Sequence, residues 1–332
     1  MRGGGAQQRR FYRSPSRHSA LPSRLTRNRV FSRPHHMNIL PEIAADIPEM
    51  QEWRHYVHAH PETAFEETAT AAFVADKLAS FGLEVHTGLA KTGVVGVFRG
   101  GDGIDSASKA IGLRADLDAL HVQERSGVPY ASRHEGRMHA CGHDGHTTML
   151  LGAARALARR KCLDGTVYFI FQPAEENEGG GRVMVEEGLF ERFPMRAVYG
   201  MHNWPRMPAG TFAMRPGPLM GAYDIFEIVA TGKGAHAAMA YMGKDPMLFA
   251  AQAINALQTI VARNLHPQDA GVVSVTQVHG GDTWNVIPQE VVLRGTDTPN
   301  IHSPQYDFND DVLPIGASYW VTLAEQQLAE RP

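Results

Sequence analysis

A chain of 332 residues with 43% hydrophobic residues and 33 glycines is long enough for a full α/β domain plus a smaller second one. It holds no apolar run long enough to span a membrane, and its two cysteines, Cys141 and Cys162, exclude a disulfide framework and suggest a reducing, cytoplasmic setting. The net charge of −3 hides an asymmetry, because residues 1–36 carry nine arginines and no acid.

That leader, rich in arginine and serine, reads as a start codon placed too far upstream, with Met37 opening the globular sequence. A mitochondrial transit peptide and an RNA-binding arm are the other readings of the same composition. Under each of them residues 1–36 are expected to be disordered. From Met37 onward the signals alternate. "ETATAAFVADKLASFG" predicts a helix with a glycine stop at Gly82, and "TGVVGVF" and "AIGLRA" read as strands. "TTMLLGAARALARR" predicts a helix, "GTVYFIFQ" a strand, "GRVMVEEGLF" a helix and "RAVYGM" a strand. Such alternation predicts an α/β fold with a mostly parallel sheet and helices on both faces, over residues 37–213.

Composition shifts near Pro216. Strand, helix and two further strands joined by a Gly-Gly-Asp turn predict an inserted α+β domain over 214–295. Residues 296–332 supply a loop, a final helix and a return to the first domain.

In sheets of this kind ligands gather at the carboxyl ends of strands. "AIGLRA" is followed by Asp116, "GTVYFIFQPA" by Glu175 and Glu176, and "RAVYGM" by His202. The loop "HACGHDGH", with Cys141 and His143, opens the helix between two of these strands. Thiolate and imidazole suit zinc, manganese, cobalt or nickel, and the C-x-H spacing lets both side chains face one ion. A helix N-terminus adds positive potential that favours the thiolate. Adjacent acids divide labour: one ligates metal while the other faces water and substrate, taking a proton and passing it on.

The motifs "HPE" (60–62), "LRADLDAL", "MHACGHDGHTTMLLGAA", "QPAEENEGGG", "GMHNWP", "GKGAHAAMA" and "NVIPQE" follow one another in order. Together they resemble the M20 metallopeptidase family, in its amidohydrolase branch of hippurate hydrolases and aminoacylases. The resemblance implies a zinc-peptidase-like catalytic domain holding two divalent ions, with an inserted lid that usually dimerises. It implies Cys141, His143, Glu176, His202 and His302 as metal ligands and Glu175 as general base. Asp116 matches an acid that supports the site. His236 matches a lid histidine that steadies the oxyanion, and Asn285 lies in a lid motif near substrate. The expected reaction is hydrolysis of an N-acyl amino acid to a carboxylic acid and an amino acid, with no nucleic-acid or membrane partner.

One departure stands out. The strand "VVLRGT" runs straight into "IHSPQYDF", where the family carries the rest of the lid and a further catalytic stretch. The chain thus reads as internally deleted after residue 296, with a lid sheet left incomplete. The six steps from Thr296 to His302 span at most about 20 Å. A metal-binding or interaction module without turnover is the alternative that this deletion raises.

Overall fold

The computed structural model describes residues 38–101, 106–160, 163–205, 207–217, 219–221, 224–296 and 303–329. The leader 1–36, Met37, Cys162 and His302 lie outside the described residues. Helix α1 (Pro41–Ala59) starts with proline in its first turn, where the missing N–H costs nothing. Helix α2 (Thr68–Ser80) ends at Gly82, whose φ of 81° gives the stop that the sequence predicts. There follow β1 (Glu84–Leu89), β2 (Gly93–Arg99), β3 (Ala110–Asp116), α3 (His143–Arg159) and β4 (Thr166–Gln172). Next come α4 (Gly180–Glu186), α5 (Leu189–Arg192) and β5 (Val198–Gly200). The single helix expected over "GRVMVEEGLF" is two, because Gly188 takes a φ of 90° between them.

These strands form one sheet in the order β1-β2-β4-β3-β5. β3 pairs in parallel with β4 and with β5, whereas β2 is antiparallel to both of its neighbours. Four of the five strands therefore run the same way, and the sheet is mixed but mainly parallel. Period-2 alternation sends Val94, Phe98, Val167, Phe169 and Phe171 to one face, against α1, α2 and α3. Val95, Val97, Tyr168 and Ile170 go to the other, against Met184, Leu189 and Phe193 of α4, α5 and the residue after them. Each fully buried Phe or Leu here contributes about 1.5–3 kcal/mol.

A second, antiparallel sheet has the order β6-β10-β8, from β6 (Ile225–Thr231), β8 (Ser274–His279) and β10 (Glu290–Thr296). Helix α6 (Pro246–Thr259) packs on it, capped by Asp245, whose carboxylate accepts the Met247 N–H at 2.9 Å. The Gly-Gly-Asp stretch is not a tight hairpin. Residues 280–289 make a longer excursion that carries β9 (Val286–Ile287), paired with β7 (Ala235–His236). The chain then returns to the first sheet, where α7 (Leu313–Leu328) buries Leu313, Trp320 and Val321 against α3 and α1.

Candidate metal centre

The carboxyl ends of β4, β3 and β5 lie side by side, and each delivers polar residues to one edge of the sheet. β3 ends on Asp116, with Asp118 two residues further on; beyond β4 come Glu175 and Glu176, and beyond β5, His202 and Asn203. The N-terminus of α3 points into the same place with Cys141, His143 and His146, all buried.

Donor atoms of Cys141, His143 and Glu176 lie within 4.8 Å of one another, as do those of Asp116, His143, His146 and His202. The two groups share His143. Its Nδ1–H donates to the backbone oxygen of Asp118 at 2.8 Å, which turns the lone pair of Nε2 into the cluster. Fully buried, His143 Nε2 has no hydrogen-bond partner among the described residues. Asp116 and Glu175 stand 3.7 Å from it and Glu176 stands 3.8 Å away, too far for hydrogen bonds. Such gaps approach twice a metal–ligand bond of about 2 Å. His202 is set in the same way: Nδ1–H donates to the Asn203 carbonyl at 2.7 Å, and Nε2 lies 3.4 Å from Cys141 Sγ.

His146 differs. Its Nδ1 is 2.6 Å from Asp116 Oδ1, and its Nε2 accepts the Asn203 N–H at 3.0 Å. Both nitrogens are engaged by protein groups, so His146 braces Asp116 and the turn that carries His202. The brace extends outward, because the Asn203 side-chain amide donates to Tyr306 Oη at 2.7 Å.

Electrostatics fit a cation here. Burial opposes ionisation of Asp116, yet His143, Arg114 and His146 hold its carboxyl well below the usual range. Burial likewise opposes charge on His143, but Asp116 and Cys141 outweigh it and raise its pKa well above the ordinary value. The acids around this buried imidazole favour positive charge there, a demand that a divalent cation also meets. His202, pushed to about 4 by burial and by His146, stays neutral at pH 7. Burial and the neighbouring carboxylates Asp116 and Glu176 raise Glu175. That environment suits a residue that takes up and gives back a proton. His139, the first imidazole of the loop, is pushed to about 4 by burial, with His58 and His143 adding, and among the described residues neither of its nitrogens has a hydrogen-bond partner.

Behind the cluster, Arg54 and His58 of α1 meet four carboxylates. Arg54, wholly buried, donates to Asp144 and Asp307 at 3.1 Å each and also to Asp310. His58 lies between Asp144 (2.9 Å) and Glu124 (3.2 Å). Burial opposes its charge, but the two acids raise it to about 9. This network ties α1, the start of α3 and the C-terminal return together.

His236 and Asn285 are neighbours on the β7–β9 ribbon, where the Ala237 N–H donates to the Asn285 carbonyl at 2.9 Å. Both side chains are exposed, and among the described residues neither has a bond to the Cys141–His202 cluster. Asp118 and Asn203 escape sequence reading, and His146, one of the imidazoles of the cysteine–histidine loop, receives no separate role there; the D-x-D spacing of Asp116 and Asp118 at a strand end is a usable signal for Asp118.

The sequence profile of peptidase family M20/M25/M40 matches residues 112–326. A hippurate hydrolase from Campylobacter jejuni is 44% identical over 258 residues, covering 78% of this chain and 66% of the relative. An N-acetyl-L-cysteine deacetylase from Bacillus subtilis is 45% identical over 244 residues, covering 73% and 57%. The chain thus spans only 57–66% of the length of these curated relatives. A solved dinuclear metal-binding peptidase of the M20 family from Bacillus subtilis superposes with a TM-score of 0.63 at 28% identity, covering 86% of this chain and 99% of that one.

Proposed function

This chain belongs to peptidase family M20/M25/M40, and from that premise we propose that it hydrolyses the amide bond of N-acyl amino acids at a two-metal centre. Cys141, His143, Glu176 and His202 would hold the ions, with His302 as the fifth ligand. The observation that carries this reading is the buried, unpartnered Nε2 of His143 facing the Glu175–Glu176 pair. Manganese, zinc, cobalt or nickel suits the donor set, and such ions supply Lewis acidity that activates water and polarises a carbonyl.

The chain's own residues do the rest. Glu175 takes the proton from the attacking water and delivers it to the leaving amine nitrogen as the C–N bond breaks. A carboxylate and a free amino acid leave. Asp118 and the Asn203 carbonyl fix the tautomers of His143 and His202, and Asp116 neutralises the local positive charge. His236 and Asn285 would meet substrate when the lid, residues 214–295, closes over the catalytic part, 37–213 and 296–332; His236 would steady the developing oxyanion. The names of the relatives support hippurate-like and N-acetyl amino acid substrates.

Exposed apolar residues on β6 and α6, Ile225 and Leu248 among them, support a homodimer through the lid. We place the protein in the cytoplasm on its cysteine content; among the described residues, no helix is long and apolar enough to cross a membrane. The same thin, exposed lid favours a second reading, a metal-binding module without turnover.

Hydrolysis of hippurate, N-acetylmethionine and N-acetylcysteine by the manganese- or zinc-loaded protein, beside a Glu175→Gln control, separates the two. Turnover that the control abolishes supports the hydrolase. Stoichiometric metal without turnover supports the module.

A further inference from the structure

The pair Glu175–Glu176 owes its aim to the residue before it. Ala174 has a φ of 51°, a left-handed conformation that alanine rarely adopts. Had the chain stayed extended beyond Gln172, each further residue would have moved on about 3.3 Å along the strand, past the cluster. The left-handed turn instead swings Glu175 back until its carboxylate stands 3.7 Å from His143 Nε2.

Both sides of that turn are held. The Ala174 carbonyl accepts the Gly180 N–H at 2.9 Å, and the Ala174 N–H donates to Glu67 Oε1 at 2.8 Å. Glu67 comes from the start of α2, 107 residues earlier, and is completely buried. Its other oxygen accepts the Thr92 hydroxyl at 2.6 Å, and among the described residues it has no ion-pair partner. A buried carboxylate held only by neutral donors is a costly way to fill space. What it gains is a rigid acceptor for one particular N–H. Beyond the pair, Asp118 Oδ2 accepts the Glu176 N–H at 3.0 Å, so the second glutamate is fixed by a different carboxylate.

We propose that Glu67 is a positioning residue for Glu175: by holding the Ala174 N–H it fixes the left-handed turn that aims Glu175 at the candidate metal centre. The inference rests on the hydrolase reading for its effect on turnover, but not for its effect on the backbone. Asp118 and Glu67 thereby serve different ends. Asp118 secures the His143 and Glu176 side of the site, and Glu67 secures the acid–base side.

The test uses the full-length, metal-loaded protein and the variants Glu67→Ala, Glu67→Gln, Thr92→Val and Glu67→Ala with Ala174→Gly. Glu67→Ala should lower kcat on the order of 100-fold, the cost of a misplaced reacting group, with KM and bound metal unchanged. Glu67→Gln keeps an acceptor for the Ala174 N–H and should recover most of the loss. Glycine accepts positive φ without penalty, so Ala174→Gly should raise kcat of the Glu67→Ala protein about tenfold. Thr92→Val frees Glu67 on its far side and should give a smaller loss in the same direction, which keeps the test independent of whether Glu67→Ala folds. Amide exchange at Ala174, read by NMR or mass spectrometry, should accelerate in Glu67→Ala and stay protected in Glu67→Gln. Unchanged exchange overturns the proposal even if no substrate is ever turned over, and that latter result would count against the hydrolase reading alone. Parallel loss of metal and kcat, or no rescue by Ala174→Gly, overturns it as well.

Discussion

The two sheets of this protein are built to different standards. In the first, both faces are covered and residues such as Val94, Ile111, Leu113, Phe169 and Phe171 are wholly buried. In the second, the buried apolar core is Ala230, Ala250, Val291 and Leu293, all but one on the strands β6 and β10. Ile225 is 71% exposed, Leu248 67% and Phe249 52%, in a segment where apolar periodicity promised burial. The contrast teaches that patterning alone makes strands and helices, whereas covering them takes partners from elsewhere in the chain. The first sheet has α1 and α7, distant in sequence, to close it. The second has α6.

The contrast is open to attack at several points. The largest effect should fall on chemistry in the first region: Glu175→Gln should lower kcat by about 10²–10⁴ while bound metal, measured by elemental analysis, stays the same. Turnover surviving that change would remove Glu175 from the mechanism. Next, Arg54→Ala strands the buried carboxylate Asp144 and unpairs the more exposed Asp307, and denaturant unfolding should show a loss of about 3–5 kcal/mol. Phe169→Ala should cost a similar amount, about 3–5 kcal/mol, through the cavity it leaves.

His58 gives a pH signature. Its pKa is about 9 in the folded protein, against an ordinary 6.5. Its contribution is therefore fully present below pH 6.5 and is lost as pH rises through 9. Melting temperature should fall by about a few degrees across that window and fall less in His58→Gln. A variant with an unchanged slope would show that Asp144 and Glu124 do not hold a charged imidazole.

The smallest effect belongs to the second sheet. Ile225→Thr should alter stability by less than about 0.5 kcal/mol, while weakening the proposed lid-to-lid dimer measured by sedimentation. If it destabilises as much as Phe169→Ala, the second sheet has a covered face and the comparison fails.

Much of the first region was legible. Short continuous apolar runs in "GTVYFIFQ" and "TGVVGVF", and polar residues set at or just beyond strand ends, placed Asp116, Glu175, Glu176 and His202 at one edge. Strand β1 was not legible, because "EVHTGL" is polar, half-exposed and without clear alternation. Helix α1 carries Pro48 and buries charged Arg54 and His58, so its apolar periodicity is weak. The supporting residues were hidden for a different reason. Arg54 and Asp307 are 253 residues apart, and His146 and Asn203 are 57 apart. Nothing local in sequence announces a hydrogen bond that only the folded chain closes.

The start of α3 is shaped to be covered by the chain's late segment. A side chain at Gly142 would collide with Asn203 and Tyr306, and one at Gly145 would collide with the ring of Phe308. Ribosomal synthesis delivers residues in order, at about 5–20 per second. The cysteine–histidine loop therefore waits about 8–30 seconds on that timescale before Tyr306 and Phe308 exist to cover it. For that interval its thiol and imidazoles are open to whatever metal the surroundings offer, so ion availability during translation would bear on which metal the proposed centre takes up.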